Sequence, residues 1–222
     1  PVFLVWVLVG AVSQIAATAL LLRVMAERNF TLGVAYSKTE LIQVAVFGLV
    51  FLGDTISVTT IVAIALATVG VLCLSLGNGG GVRSFLTGWA SRTALLGIAS
   101  GGAFAIAAVG YRGAAMEVED DSSFLVAAAY ALVWAQALQT ALLGGWLVLR
   151  DHRIVAGLLG VWRASMFAGF MGAAASIGWF TAFTIESAAH VRTLGLVELF
   201  FSYLLSRRLF SENLRRGEAI GI

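Results

Sequence analysis

The sequence predicts an all-α membrane protein, a polytopic bundle of apolar helices. Hydrophobic residues make up 60% of the chain and charged residues 12%, about half the charged share of a soluble domain. That leaves too little polar surface to cover a water-soluble globule. A single proline fits long uninterrupted helices, and the alternating apolar and polar pattern of a membrane β-barrel is missing.

Seven segments have the length, about 20 mostly apolar residues, that a membrane-spanning helix needs. They are predicted at roughly 3–25, 32–52, 58–77, 93–113, 124–149, 163–187 and 189–210, and an eighth begins near residue 217. The loops between them are short, which favours antiparallel neighbours. One loop is the acidic run 117–123, where Asp121, Ser122 or Ser123 is predicted to cap the helix that follows.

Two stretches of the chain share one plan, residues 36–54 (YSKTELIQVAVFGLVFLGD) and 194–212 (LGLVELFFSYLLSRRLFSE). Each holds an aliphatic and aromatic segment between two acids. Glu40 and Asp54 are fourteen positions apart, as are Glu198 and Glu212, and the copies are offset by 158 residues. This spacing indicates an internal repeat, which organises the whole chain.

The repeat predicts two inverted five-helix repeats in a ten-helix protein. Three predicted helices lie between the glycine-rich linker at 78–92 and the second copy, whereas only one predicted helix precedes the first copy. Two further helices are therefore expected before Pro1. The segments present would then be helices 3 to 9 and the start of helix 10. Because five is odd, the second unit is expected upside down, as in many secondary transporters. The predicted boundaries are a partial first repeat at 1–77, a linker at 78–92 and a second repeat at 93–222.

These segments resemble the drug/metabolite transporter superfamily, in its EamA-like branch. The resemblance lies in 35–57 (AYSKTELIQVAVFGLVFLGDTIS) and in 178–212 (GWFTAFTIESAAHVRTLGLVELFFSYLLSRRLFSE). It implies ten helices in two inverted repeats, and a secondary transporter that moves a small organic solute by alternating access. The expected solute is an amino acid, a metabolite or a drug, and the expected direction is export. The expected partners are this solute and the lipid bilayer; proton coupling and a homodimer stay open.

Arginines are divided unequally between the two sides of the predicted bundle. Eleven fall on one side, whereas Arg112 and Arg192 fall on the other. The positive-inside rule places the eleven in the cytoplasm, so the protein is expected to be a multi-pass protein of the cytoplasmic (inner) membrane. The family resemblance implies the opposite orientation, with both termini cytoplasmic.

Glu40 is the first candidate for function, because an ionisable side chain within a span is costly unless it is paired or hydrated. At helical spacing Glu40 shares a face with Tyr36 and Gln43. Its carboxylate is expected either to bind a substrate amine or a proton, or to pair with Lys38 or Arg192 and fix the helix. Both interpretations stay open.

The remaining candidates are charged, amide and aromatic side chains of the other spans. Glu198 is the counterpart of Glu40 in the second repeat, and Lys38 and Arg192 could hold a substrate carboxylate. Lys38 could instead extend to the membrane interface. The further candidates for a cavity lining are Gln14, Trp179 and Tyr111, while Gln136 and Gln139 are predicted to bond between helices. The spacings Gly97-xxx-Gly101 and Gly172-xxx-Ser176 predict close helix packing.

Several classes of protein are disfavoured by what the sequence lacks. It contains no HExxH, no Walker loop and no G-x-S-x-G, so neither an enzyme nor a nucleotide-driven pump is expected. One cysteine and two distant histidines provide no metal site, and we expect no cofactor. The arginines follow the topology, which disfavours nucleic-acid binding. The alternative function is a seven-helix receptor or sensor, although the last complete span has no lysine for a retinal Schiff base.

Overall fold

The structure, a computed structural model, describes residues 2–26, 36–77, 91–119, 123–150, 153, 156–157, 160–197 and 201. In this part of the chain the protein is helical and has no β-strand, which confirms the all-α class. The helices in chain order are α1 (Val2–Met25), α2 (Glu40–Phe47), α3 (Val58–Gly77), α4 (Arg92–Glu119), α5 (Phe124–Gln139), α6 (Gly145–Arg150), α7 (Trp162–Ile185) and α8 (Ala188–Gly195). The π-helical turn Gly48–Leu52 continues α2, and a second one, Thr140–Gly144, joins α5 to α6.

Four helical stretches are long and apolar enough to cross a membrane. They are Val2–Met25, Arg92–Val118, Phe124–Arg150 and Trp162–Ile185, and they coincide with four of the predicted spans. The stretches Glu40–Leu52 and Val58–Gly70 are apolar but shorter. The protein therefore has the helices of a multi-pass membrane protein.

Several predicted features fall outside the described residues. They are residues 78–90 of the glycine-rich linker, the eighth segment, and residues 198–210 of the span predicted at 189–210 apart from residue 201. Glu198 and Glu212 belong to this group. The inverted arrangement of the repeats and the helix numbering stay predictions.

Serine residues stand at the start of four helices. The hydroxyl oxygens of Ser57, Ser91 and Ser187 accept hydrogen bonds from the backbone N–H three residues later, at 3.1, 3.2 and 3.4 Å. These bonds satisfy one of the free N–H groups in each first turn. Ser123 occupies the same position before α5, in extended backbone conformation, but its side chain makes no capping hydrogen bond. The predicted position of the cap is therefore confirmed for Ser123 and the predicted bond is not observed, while Asp121 and Ser122 lie outside the described residues.

The end of α2 is shaped by two glycines. Gly53 has a φ of 68°, the left-handed conformation that glycine adopts without steric cost, and its N–H donates to the carbonyl of Gly48. The backbone N–H of Asp54 donates to the same carbonyl at 3.2 Å. A Cβ on Gly48 would lie 3.1 Å from a carboxylate oxygen of Asp54, so the glycine leaves room for that side chain.

The described chain forms two compact units, each assembled from separate stretches of sequence. Unit 1 comprises Pro1–Ile15 and Ala107–Glu186, and unit 2 comprises Ala16–Ile106 and Ser187–Ile222. The buried apolar residues of unit 1 include Val7, Ala108, Ala131, Phe180 and Phe183. Those of unit 2 include Ala17, Val24, Leu41, Val44, Ala94 and Val191. Of the 27 buried apolar residues in the described part of the chain, 15 are alanine, as in helices whose backbones approach closely.

Glycine allows one such close approach inside unit 1. A Cβ on Gly110 would lie 2.9 Å from the backbone nitrogen of Gly10 and 3.0 Å from its Cα, so these two stretches of α1 and α4 cross backbone to backbone. By contrast, Gly172 of α7 has no atom of the described residues within 4 Å of a Cβ position. The packing predicted from the Gly172-xxx-Ser176 spacing is therefore not observed in the described part of the chain.

Candidate functional site

The charged site lies in unit 2, where Glu40 and Arg192 form an ion pair. Nε of Arg192 is 2.9 Å from Oε1 of Glu40, and both atoms are fully buried. The side chains as a whole are 12% exposed for Glu40 and 23% exposed for Arg192. The pair joins α2 to α8, so it is a tertiary contact between residues far apart in the sequence.

Each member of the ion pair stands at the helix end that favours its charge. Glu40 is in the first turn of α2, the end at which the aligned peptide dipoles give the helix partial positive charge. Arg192 is in the last turn of α8, where the exposed carbonyls carry partial negative charge. The two helix ends therefore stabilise the charged forms that the ion pair requires.

The backbone of α4 packs directly against the start of α2. A Cβ on Gly101 would collide with the carbonyl oxygen of Ser37 and lie 3.1 Å from the backbone nitrogen of Glu40. Only glycine fits at this position, which confirms the close packing predicted from the Gly97-xxx-Gly101 spacing. On the next residue, Gly102, a Cβ would meet Oε1 of Gln43 instead. Glycine therefore determines how near α4 comes to Glu40.

Gln43 links α2 to α4 by hydrogen bonds. Its Nε2 donates to Oγ1 of Thr39 at 2.8 Å and to the carbonyl oxygen of Ile98 at 3.4 Å. Oγ1 of Thr39 in turn donates to the carbonyl oxygen of Tyr36 at 2.7 Å. Tyr36 is buried, and Lys38 lies half-buried in the same turn. This chain of bonds holds the turn that presents Glu40.

An aromatic ring completes the surroundings of Arg192. The guanidinium carbon lies 5.9 Å from the centroid of the Phe104 ring on α4, within the range of a cation–π contact. Phe104 was not predicted as a site residue, because no local pattern distinguishes it from the other apolar residues of α4. Its contact is with Arg192, which lies 88 positions further along the chain (192 minus 104).

The neutral polar cluster, Gln14, Tyr111 and Gln139, lies in unit 1. The Tyr111 hydroxyl donates to Oε1 of Gln14. Nε2 of Gln139 donates to Oε1 of Gln14 and to the Tyr111 hydroxyl oxygen, at 2.9 Å in both cases. The bond from Gln139 to Gln14 confirms the interhelical bonding predicted for Gln139, whereas Gln136 is exposed.

Aromatic side chains and glycine surround this cluster. The Tyr111 ring lies 4.6 Å from that of Phe180, and a Cβ on Gly10 would lie 2.6 Å from Cε1 of Tyr111. Trp179 is also in unit 1, where its ring lies 6.0 Å from that of Phe183. The backbone carbonyl of Phe183 accepts a hydrogen bond from Arg112 at 2.7 Å, which secures the last turn of α7.

The structure thus sorts the predicted site residues into separate groups. It brings Glu40, Arg192 and Gln43 together in unit 2, with Tyr36 and Lys38 in the turn just before them. Gln14 and Trp179 belong to unit 1, and Glu198 lies outside the described residues. No protein-family model matches the chain, and no curated protein matches it.

Proposed function

We propose that this protein is a secondary transporter that moves a small organic solute across the cytoplasmic membrane by alternating access. The buried ion pair between Glu40 and Arg192 carries the proposal. Ionisable side chains within membrane helices are expensive and mark solute pathways, ion pathways and proton relays. The repeat and the resemblance to the EamA-like branch of the drug/metabolite transporter superfamily support the same function.

The two charges suit a solute that carries an amine, a carboxylate or both. The Glu40 carboxylate would attract an amine, and the Arg192 guanidinium would hold a carboxylate by two parallel hydrogen bonds. Such a solute would replace each partner of the ion pair with an equivalent charge, so neither side chain would be left uncompensated. A proton on Glu40 would weaken its attraction for Arg192, which offers a route for proton coupling.

The interrupted geometry of α2 also supports a transporter. The α-helix changes to a π-helical turn at Gly48–Leu52 and stops at the left-handed Gly53, which is 13 positions after Glu40 (53 minus 40). π-Helical turns are frequent at functional sites, and broken helices often form the solute sites of secondary transporters. In this proposal the two repeats rock about the site, and export is the working direction.

Flux measurements on the full-length protein in proteoliposomes test the proposal. The vesicles would be offered a panel of amino acids and cationic drugs, with and without a pH gradient. We expect gradient-dependent flux for the wild type and its loss in Glu40→Gln. Glu117→Gln makes the same chemical change at an exposed position on α4, and it should leave flux intact.

Each alternative result has a definite meaning. Flux that survives Glu40→Gln would make the ion pair a structural contact and move the expected solute site to Glu198. A folded protein that carries no flux for any solute would contradict the transporter and would favour the receptor or sensor. The control variant separates either result from a general effect of losing a carboxylate.

A further inference from the structure

We propose that one end of unit 1 is a binding surface for phospholipids of net negative charge. This arginine end consists of α6 and the first half of α7, residues 162–175, and both belong to unit 1. Its arginines, Arg150, Arg153 and Arg163, would bind the headgroup phosphate, and an apolar face of α7 would contact an acyl chain. The inference is independent of the proposed transport, and lipid contact rather than flux tests it.

The end of α6 and the start of α7 lie on the same side of the membrane. Arg150 is in the last turn of α6, and α7 begins at Trp162. The connection 151–161 has eleven residues (161 minus 150), whereas a helix that crosses the membrane needs about 20. The connection is therefore too short to return the chain to the other side as a helix, and an irregular chain does not cross exposed to lipid.

The arginine end is exposed, in contrast to the other end of the same helices. α5 packs against α7, and the buried residues of α7 are Phe180, Phe183 and Thr184, in its last turns. In α6 and in residues 162–175, by comparison, only Leu147 and Ser165 are half-buried and all other residues are exposed. The side chains of the arginine end are therefore accessible to lipid.

The charge of the arginine end is positive. Residues 145–170 contain three arginines and one acidic residue, a net charge of +2 (3 minus 1) with the histidine neutral. The other ends of these helices are acidic, because four acids lie in residues 117–121 before α5, and Glu186 follows α7. An anionic headgroup is attracted to the first end and repelled by the second. The positive-inside rule also places the arginine end in the cytoplasm, where the membrane leaflet carries anionic lipids.

Tryptophans stand beside the arginines. The guanidinium carbon of Arg163 lies 5.6 Å from the centroid of the Trp162 ring, within the range of a cation–π contact. Trp146 is exposed and lies one helical turn before Arg150. Tryptophan is enriched at the level of the lipid headgroups, and a guanidinium donates two parallel hydrogen bonds to a phosphate. The pairing of these residue types therefore suits a headgroup phosphate at the membrane interface.

The face of α7 below Arg163 suits an acyl chain. Met166, Phe167 and Phe170 follow Arg163 at helical spacing, three, four and seven residues later, so they share its face. All three side chains are exposed. Packing against a second protein chain would bring no hydrophobic gain, because lipid tails are equally apolar. A free phosphate ion would use the arginines but not this face. The combination of positive charge and apolar face therefore favours a phospholipid.

Quenching of tryptophan fluorescence by brominated lipids tests the proposal. The full-length protein would be reconstituted into phosphatidylcholine vesicles that contain a fixed fraction of brominated phosphatidylglycerol or of brominated phosphatidylcholine. Bromine in the acyl chains quenches the tryptophans that contact the lipid, and Trp146 and Trp162 are exposed at the arginine end. We expect the protein to prefer phosphatidylglycerol about fivefold, the effect of one arginine at an anionic membrane surface.

Two double variants locate the preference. Arg150→Gln/Arg163→Gln should lose most of it, because two of the three arginines are gone. Arg23→Gln/Arg92→Gln removes the same charge from exposed positions of unit 2 and should keep the preference. A preference that persists in the first variant, or an equal loss in both, would overturn the proposal, because the charge of the whole protein would then attract the lipid.

Three further results would overturn the proposal. Equal quenching by the two brominated lipids in the wild type would show that negative charge is not recognised, and this result needs no variant. Quenched intensity that is unchanged in Trp146→Phe/Trp162→Phe would show that another protein chain, such as a second copy, covers the face. Loss of the preference on addition of inorganic phosphate at constant ionic strength would show an anion site without a lipid. None of these results depends on whether the protein carries solute flux.

Discussion

The two compact units hold polar side chains between packed helices by different physical means. Unit 2 places opposite charges 2.9 Å apart in Glu40 and Arg192, whereas unit 1 joins the neutral side chains of Gln14, Tyr111 and Gln139. An ion pair depends on both members, because loss of one leaves the other charge buried and uncompensated. A substitution in a neutral network loses only the weak hydrogen bonds of that side chain and leaves no charge behind. The charged site should therefore be far more sensitive to substitution than the neutral cluster.

Arg192→Leu should have the largest effect. It leaves the Glu40 carboxylate without this partner, and we expect the free energy of unfolding to fall by about 2–4 kcal/mol. The exposure of the Arg192 side chain, 23%, keeps the loss below that of a fully buried pair. The loss in the free energy of unfolding is measured by unfolding the protein in mixtures of mild detergent and dodecyl sulfate, with circular dichroism as the readout.

Two further variants sharpen this result. Arg163→Leu removes an exposed arginine of α7 and should change stability by less than about 0.5 kcal/mol. The double variant Glu40→Gln/Arg192→Leu should be more stable than Arg192→Leu alone, because it also removes the carboxylate that has lost its arginine. Equal losses in the single and double variants would show that the two charges do not interact.

Gly101→Ala should have the next largest effect. The added methyl group would collide with the backbone of Ser37 and Glu40, which cannot move without displacing α2 from α4. We expect a loss of about 1–3 kcal/mol in the free energy of unfolding. The matched control is Gly169→Ala on α7, where no atom of the described residues lies within 4 Å. That change should stabilise the helix by about 0.5–1 kcal/mol, so the two substitutions should have opposite signs.

Tyr111→Phe should have the smallest effect of the three. It removes the hydroxyl that donates to Gln14 and accepts from Gln139, but it keeps the ring against Phe180. We expect the free energy of unfolding to fall by about 0.6–1.7 kcal/mol, from the average to the largest value for a hydrogen bond between membrane helices. Tyr130→Phe is the control, because the Tyr130 ring is 46% exposed and its described contacts are ring contacts. A larger loss for Tyr111→Phe than for Arg192→Leu would reverse the comparison between the units.

Much of the fold could be predicted from the sequence, because apolar runs and serine caps are local signals. The spans expected at 3–25, 124–149 and 163–187 match helices that the structure describes, and Ser123 stands at the N-cap position of α5, although without the expected capping bond. Helix packing was harder to predict. Gly101 and Gly172 have the same small-residue spacing, yet only Gly101 faces a close neighbour. The spacing shows that small residues lie on one face of a helix, but it does not predict whether that face packs against another helix.

The candidate site shows the same limit. A charge within an apolar run is a local signal, so Glu40 and Arg192 could be selected from the sequence, and Arg192 was among the partners expected for Glu40. Phe104 carries no such signal, because its contact with Arg192 depends on how α4 and α8 pack. The closing of the cluster by Tyr111, Gln14 and Gln139 likewise needed three helices to meet. Single residues were predictable, whereas their combinations depended on tertiary structure.

The most direct test of the central claim exchanges the two charges of unit 2. The double variant Glu40→Arg/Arg192→Glu keeps an ion pair between α2 and α8 but reverses its direction. We predict that it regains only part of the stability that Arg192→Leu loses, because each charge then stands at the helix end that disfavours it. We also predict that it carries no gradient-dependent flux of the solute that the wild type transports. Loss of flux in a stable protein would place the solute site at these charges. Flux at the wild-type level would contradict the account, because the ion pair would then serve the fold alone.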